Sequence, residues 1–168
     1  MRDAETVLPA RGRRGAVAAL LVVSVVAICV VLYATVWGVG VSPDSTRYTG
    51  AARNIVAGRG ITVLSGDGSA VPLTKWPPLF PLILAVPGLA GVDPLAAARL
   101  LNALCFGGTV LLAGALVYWV TRRTWPSILA SLLVLTSVDL LSIYAMAWTE
   151  PSYILLGMLG LAVVTRYL

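Results

Sequence analysis

Uncharged apolar runs divide this chain. After a basic start carrying Arg2, Arg11, Arg13 and Arg14, Ala16 to Val41 pass without one charge, more than the roughly 20 residues that take a helix across about 30 Å of hydrocarbon. Residues 1–14 therefore make a tail and residues 16–41 a first span. A basic start before an apolar run also suits a signal peptide, but this run is too long and no A-x-A-like site closes it, so it is expected to persist as an anchor. Leu100 to Thr121 are again uncharged and, with the flanking turn from Leu95, predict a second span over 95–121. Along it, Ala103, Gly107 and Gly114 form a small-residue stripe suited to close helix packing. Pro126 to Trp148 predict a third span with Asp139 in it, and Pro151 to Leu168 a fourth with Arg166 near its end.

The polar residues between the first two spans, 42–76, make one long loop holding Asp44, Arg47, Arg53, Arg59, Asp67 and Lys75. Ser42-Pro43-Asp44 predicts a helix start, with a capping hydroxyl, proline at the first helical position and an acid at the positive dipole end. On a 3.6-residue wheel Tyr48, Ala51, Ala52, Ile55 and Val56 share one face, Arg47, Arg53 and Asn54 lie off it, and Gly58 and Gly60 end the helix. Such an amphipathic helix is expected to lie along a membrane surface.

Pro77 to Gly91 is apolar but only 15 residues long, about 22 Å as a helix, and is interrupted by Pro77, Pro78, Pro81 and Pro87. It is expected to be interfacial or re-entrant. The positive-inside bias tests this, because one added crossing swaps the sides of everything after it. Without a crossing, the four N-terminal arginines, Arg122, Arg123 and Arg166 lie inside, against Arg47, Arg53, Arg59, Lys75 and Arg99 outside. With one, the balance reverses. The fold class expected is all-α integral membrane: four transmembrane helices, an outer loop with amphipathic juxtamembrane helices, and a proline-rich re-entrant or interfacial segment. The chain should be a multi-pass protein of the cell membrane, N-terminus cytoplasmic.

Composition agrees. Of 168 residues, 59% are hydrophobic and 11% charged, far from the roughly 25% charged of an average soluble domain. Histidine is absent, which excludes imidazole acid-base catalysis and His-metal clusters and leaves carboxylates to do any chemistry. A net charge of +5, held in a few short stretches, suggests phosphate or anionic-lipid partners. Nucleic acid is not expected, since no soluble basic domain is present to hold it. Cys29 and Cys105 lie in apolar runs and are expected to be small buried hydrophobes.

Three acids gather at the outer boundary: Asp44 after the first span, Asp139 within the third, and Glu150 between the third and fourth. Each admits a structural role. Asp44 suits a helix-start acid paired with Arg47, Glu150 a first-turn acid of the fourth helix, and Asp139 a waterside or helix-break residue. The outer arginines suit lipid headgroups, yet four basic residues in one non-cytoplasmic loop run against the orientation bias, which a phosphate-bearing ligand would explain.

Asp44-Ser45-Thr46-Arg47-Tyr48, Ala52-Arg53-Asn54-Ile55 and Gly58-Arg59-Gly60 resemble the first outer loop of the GT-C class of integral membrane glycosyltransferases. The likeness is to the family 39 group of lipid A aminoarabinose transferases and protein O-mannosyltransferases. Lys75-Trp76-Pro77-Pro78-Leu79-Phe80-Pro81 is similar to the W-P-P-L-Y-P signature that follows there, Ala97-Ala98-Arg99-Leu100 to the A-A-R-L that opens the next helix, and Thr149-Glu150-Pro151 to the S/T-E-P of these chains. The resemblance implies transfer of a sugar from a polyprenyl-phosphate donor to an acceptor hydroxyl at the outer face. Asp44 would be the general base. Arg47, Tyr48, Arg53, Lys75 and Glu150 would bind substrate, with Lys75 and the arginines on the lipid phosphate. No cofactor is called for, and a divalent cation stays compatible with the acids. Two departures stand out: Ser45 replaces the second acid of the usual Asp-Glu pair, and members have eight or more spans. The chain therefore resembles the N-terminal part of such an enzyme, with further transmembrane helices as partners. The alternative is a small non-enzymatic four-span protein, a transporter half or an assembly subunit; against it, no inverted repeat is evident.

Overall fold

The computed structural model describes residues 10–167; the start of the tail, with Arg2, lies outside them, as do Leu168 and the side chains of Arg11 and Arg166. In chain order come α1 (Ala10–Ala34), α2 (Pro43–Val56), β1 (Thr62–Leu64), β2 (Ala70–Pro72), α3 (Leu79–Gly88), α4 (Pro94–Thr121), α5 (Thr124–Leu135), α6 (Val138–Tyr144) and α7 (Glu150–Tyr167). The protein is mostly helical. Arg13–Ala34 and Pro94–Thr121 are each long and apolar enough to cross a membrane, and the bent pair α5–α6 makes up to three such units.

Helix α4 is the hub, and small residues set how closely its neighbours approach. Ser24 of α1 donates to the Gly107 carbonyl at 2.9 Å, and Arg99 donates to the Leu32 carbonyl at 2.8 Å and to Thr35 Oγ1 at 3.2 Å. Because the partner number on α1 falls as that on α4 rises, the two helices are antiparallel. A Cβ on Gly107 would come within 2.5 Å of Ile28, and one on Gly114 would lie 2.9 Å from the Ser127 carbonyl. Both positions of the predicted stripe are therefore contact points, α1 lying against Gly107 and both α1 and α5 against Gly114. Arg99 does something the apolar pattern did not indicate: its guanidinium supplies one donor to the Leu32 carbonyl in the last turn of α1, where carbonyls lack helical partners, and another to the Thr35 hydroxyl.

The apolar run Ala16 to Val41 is not one helix. It ends at Ala34, and from Gly38 (φ 113°) to Gly40 the chain turns to pair with residues 145–147. Gly40 donates to the Ala145 carbonyl at 2.8 Å and accepts from the Ala147 amide at 2.9 Å, and a side chain at Gly40 would collide with Met146. The third predicted span is also broken. Ser137 caps α6 after a 61° bend, and residues 145–149 leave the helix before α7. Backbone groups cut off from water must be satisfied internally. Here Asn102, wholly buried in α4, donates to the Tyr144 carbonyl at 3.1 Å and the Met146 carbonyl at 2.6 Å. Asp139 falls exposed in the first turn of α6.

Pattern and structure agree over α2: Ser42 and Ser45 make a reciprocal capping box, with Pro43 at the first turn. Tyr48, Ala51 and Ala52 are buried, with the Tyr48 ring edge-on to Phe80 of α3 at 5.3 Å. Asn54, expected on the polar face, is buried as well, because its amide donates to the carbonyl of Thr62 at 2.9 Å and ties β1 to the helix. The all-α expectation needs one correction. Thr62–Leu64 and Ala70–Pro72 pair antiparallel around a turn in which the Asp67 carboxylate accepts from the Ser69 amide and hydroxyl. That self-bonding Asp, with Gly68 at φ 82°, is turn chemistry that makes a hairpin out of a glycine- and serine-rich loop. The cysteine expectation also divides: Cys105 is buried but Cys29 is exposed on the outward face of α1.

Candidate active site

Three short links draw the loop residues to one end of the bundle. The pairing of Gly40 with residues 145–147 sets the start of α2 beside the start of α7, and Trp148 Nε1 donates to Ser42 Oγ at 2.8 Å. Tyr48 packs into the apolar core shared by α2, α3 and α4. Trp76, just before α3, returns to α2 through its indole N–H, which donates to Asp44 Oδ1 at 2.9 Å.

Trp76 is the organising residue, and spacing alone did not single it out. Its ring carries Lys75 Nζ 5.5 Å from the centroid and the Arg47 guanidinium at 5.6 Å, both within cation-π range. Arg47 lies against this ring rather than in an ion pair with Asp44. One exposed carboxylate and two cations thus meet on a single indole. Its bond orients Asp44 through Oδ1, while Oδ2 has no hydrogen-bond partner among the described residues. The signal that could have found Trp76 was its place inside the Lys75-Trp76-Pro77-Pro78 motif.

Tyr48 connects this group to Glu150. Its pKa is raised, chiefly because burial disfavours the phenolate; the nearby Thr149 hydroxyl acts the other way, and the negative charges of Asp44 and Glu150 add to the rise. Tyr48 therefore stays a neutral phenol. Glu150 opens α7, where an acid is favoured at the positive end of the helix dipole, and accepts from the Thr149 hydroxyl at 3.3 Å. Between α3 and α7 a cleft of about 290 Å³ runs from Pro77 and Glu150 down past Phe80, Ile83 and Tyr153 to Leu156. Its walls are largely apolar, with Thr149, Glu150, Ser152 and Tyr153 as the polar residues.

Arg53 is not part of this cluster. It sits near the far end of α2, donating to Asp93 Oδ2 at 2.9 Å, and that bond is the main cause of a lowered Asp93 pKa. Both side chains are about half exposed, so the pair adds little to stability. No group of three or more His, Cys, Asp or Glu that could hold a metal occurs among the described residues.

The architecture defines a class: a helical membrane protein with a carboxylate, a phenol and cations gathered at one end of its bundle beside an apolar cleft. The chain belongs to the dolichyl-phosphate-mannose-protein mannosyltransferase family, whose model matches residues 62–168, well over half its length. Membership makes glycosyl transfer from a membrane-linked donor the role of its class. Lys75, Trp76, Thr149 and Glu150 lie inside the matched segment, and Asp44, Arg47, Tyr48 and Arg53 precede it. Comparison with the curated proteins and with the solved structures returned no match.

Proposed function

We propose that this chain forms the N-terminal part of a transferase that moves a sugar from a polyprenyl-phosphate donor to an acceptor hydroxyl at the outer membrane face. The observation that carries the reading is the meeting of Asp44, Lys75 and Arg47 on Trp76, next in sequence to Pro77 of the cleft wall, in a chain of this family. Asp44 Oδ2 takes the proton of the acceptor hydroxyl as that oxygen attacks the anomeric carbon. The glycosyl-phosphate bond breaks, and Lys75 with Arg47 meets the charge growing on the leaving phosphate. The polyprenyl chain lies along the apolar cleft between α3 and α7. Glu150 and the neutral Tyr48 position the sugar hydroxyls, and the reading asks for no cofactor. The family match favours it over a small non-enzymatic protein.

On this reading the chain crosses the membrane four times, through α1, α4, the bent pair α5–α6 and α7. Direction alternates through α1, α4, α5 and α7: Ser131 of α5 donates to the Val110 carbonyl, antiparallel to α4, while Cys105–Ser152 and Gly108–Leu155 contacts run parallel between α4 and α7. Exposed Tyr33, Trp37 and Tyr153 at the site end, and Trp125 and Tyr167 at the other, suit two aromatic belts. With both termini cytoplasmic, the basic excess lies inside. Cysteine-scanning from outside should then label positions near Asp67 and spare Thr121 and Thr124; labelling of both sets would remove the topology.

The direct test is Lys75→Ala in the complete enzyme. It should weaken donor binding and slow phosphate release together, each by about tenfold, because the ammonium meets phosphate in ground and transition states alike. Unchanged donor affinity would show that Lys75 does not meet the phosphate.

A further inference from the structure

A second cavity, of about 550 Å³, lies on the opposite face of α2 from the core. Tyr48, Ala51 and Ala52 bury one side of the helix; Pro43, Arg47, Gly50 and Arg53 run in a stripe down the other, a spacing that keeps one helical face. The far wall is the β1 strand and its turn, held in place by the bonds from Asn54 to Thr62. Arg59 closes the end of the groove: its amide donates to the Asn54 carbonyl at 2.8 Å, and glycines at φ 73° and 71° on either side turn the chain back.

The groove is lined by three arginines and no carboxylate. Arg47 is shared with the Trp76 cluster and Arg53 touches Asp93 at the rim, but the exposed Arg59 side chain makes no hydrogen bond or ion pair among the described residues. Beside them, a Cβ placed on Gly50 or Gly66 would meet nothing within 4 Å. Positive charge, fixed walls and open space are what an anionic group needs, and arginine forks match phosphate or carboxylate oxygens in pairs.

The geometry points to this groove as the binding site for an anionic group, a phosphate or a carboxylate, carried by the acceptor rather than by the sugar donor. That assignment to the acceptor rests on the proposed transfer. The stripe begins at Pro43, next to Asp44, and reaches Arg53 nine residues beyond Asp44, about 13 Å along the helix axis. An acceptor lying in it would present its hydroxyl to Asp44 at one end while Arg53 and Arg59 hold its anion at the other. The donor phosphate, beside Lys75 and Trp76, would stay on the cleft side of Arg47. The helix then acts as a ruler, selecting acceptors whose anion and hydroxyl are separated by about that length.

The test uses the 168-residue chain in phosphorus-free maltoside micelles, with inorganic phosphate and dihexanoyl phosphatidic acid as probes followed by ³¹P line broadening. Both probes should broaden with the native chain. Arg53→Ala with Arg59→Ala should weaken binding by about tenfold or more, and Asp93→Asn, which releases Arg53, should strengthen it. Should the double variant fail to fold, Arg59→Ala alone reads the same loss, since that side chain holds nothing in the fold. Tighter binding of phosphatidic acid would mark a lipid acceptor, and equal binding a soluble one. Native-like binding by the Arg53/Arg59 variants, or no binding of either probe to the native chain, would overturn the site. A chain that binds phosphate through Arg53 and Arg59 but whose complete enzyme transfers no sugar would keep the site and remove the transfer reading.

Discussion

Replacing Asp44 by Asn in the complete enzyme is expected to lower sugar transfer by about 10² or more while donor binding persists. The amide keeps the size of the side chain and its carbonyl oxygen can still accept from the Trp76 indole, so the loop should stay in place. What disappears is the basic oxygen that takes the acceptor's proton. Lys75→Ala should act differently, on donor affinity and turnover together, and the contrast separates a base from a phosphate ligand. Transfer at the native rate by the Asp44→Asn protein would leave Asp44 as a first-turn acid of α2 and nothing more.

A second large effect is expected from a residue that touches no substrate. Asn102→Leu removes both donated bonds to the broken stretch before α7, leaving the Tyr144 carbonyl without a donor and the Met146 carbonyl with the Trp148 amide alone. A buried acceptor left unpaired costs about 2 kcal/mol, and the loss should register as a lowered unfolding midpoint in detergent. The same stretch pairs with Gly40 and carries Thr149 and Glu150, so transfer should fall in parallel through displacement of the site. An unfolding midpoint equal to that of the native chain would show that these bonds are replaced by others. The buried Asn102 Oδ1 has no hydrogen-bond partner among the described residues, so the side chain acts here as a donor alone.

Much of this was legible in the order of residues along the chain. An uncharged run of more than twenty residues has few alternatives to a membrane-seeking helix, because leaving its backbone or its side chains in water costs too much; α1 and α4 follow from that alone. Ser42-Pro43-Asp44 set the start of α2, since capping depends on residues within one turn. The four short motifs placed the chain among membrane glycosyltransferases, and the family match over residues 62–168 agrees.

Breaks inside the apolar runs were not legible. Gly38 and Gly40 follow the end at Ala34, and Asp139 follows the 61° bend after Leu135, but glycine is frequent inside membrane helices too, so these residues did not by themselves fix where the helices stop. The difference lies in partners distant in sequence: Gly40 finds the backbone of residues 145–147, and Asn102 finds two carbonyls more than 40 positions away. The hairpin behaved likewise, because its strands are three residues each and hold to α2 through Asn54.

For the site, residue type and local order determined which groups could do chemistry: with no histidine, the acids and basic residues of the outer loop were the available candidates. Only the tertiary structure decided which of them meet. Arg47 and Arg53 both lie off the apolar face on a helical wheel, yet the first lies on Trp76 and the second on Asp93. Periodicity specifies the face of a helix, whereas position along its axis relative to other elements is set by long-range packing. Here the Tyr48–Phe80 contact sets the first half of α2 against a residue of the cleft wall, and the pairing at Gly40 brings its start beside α7.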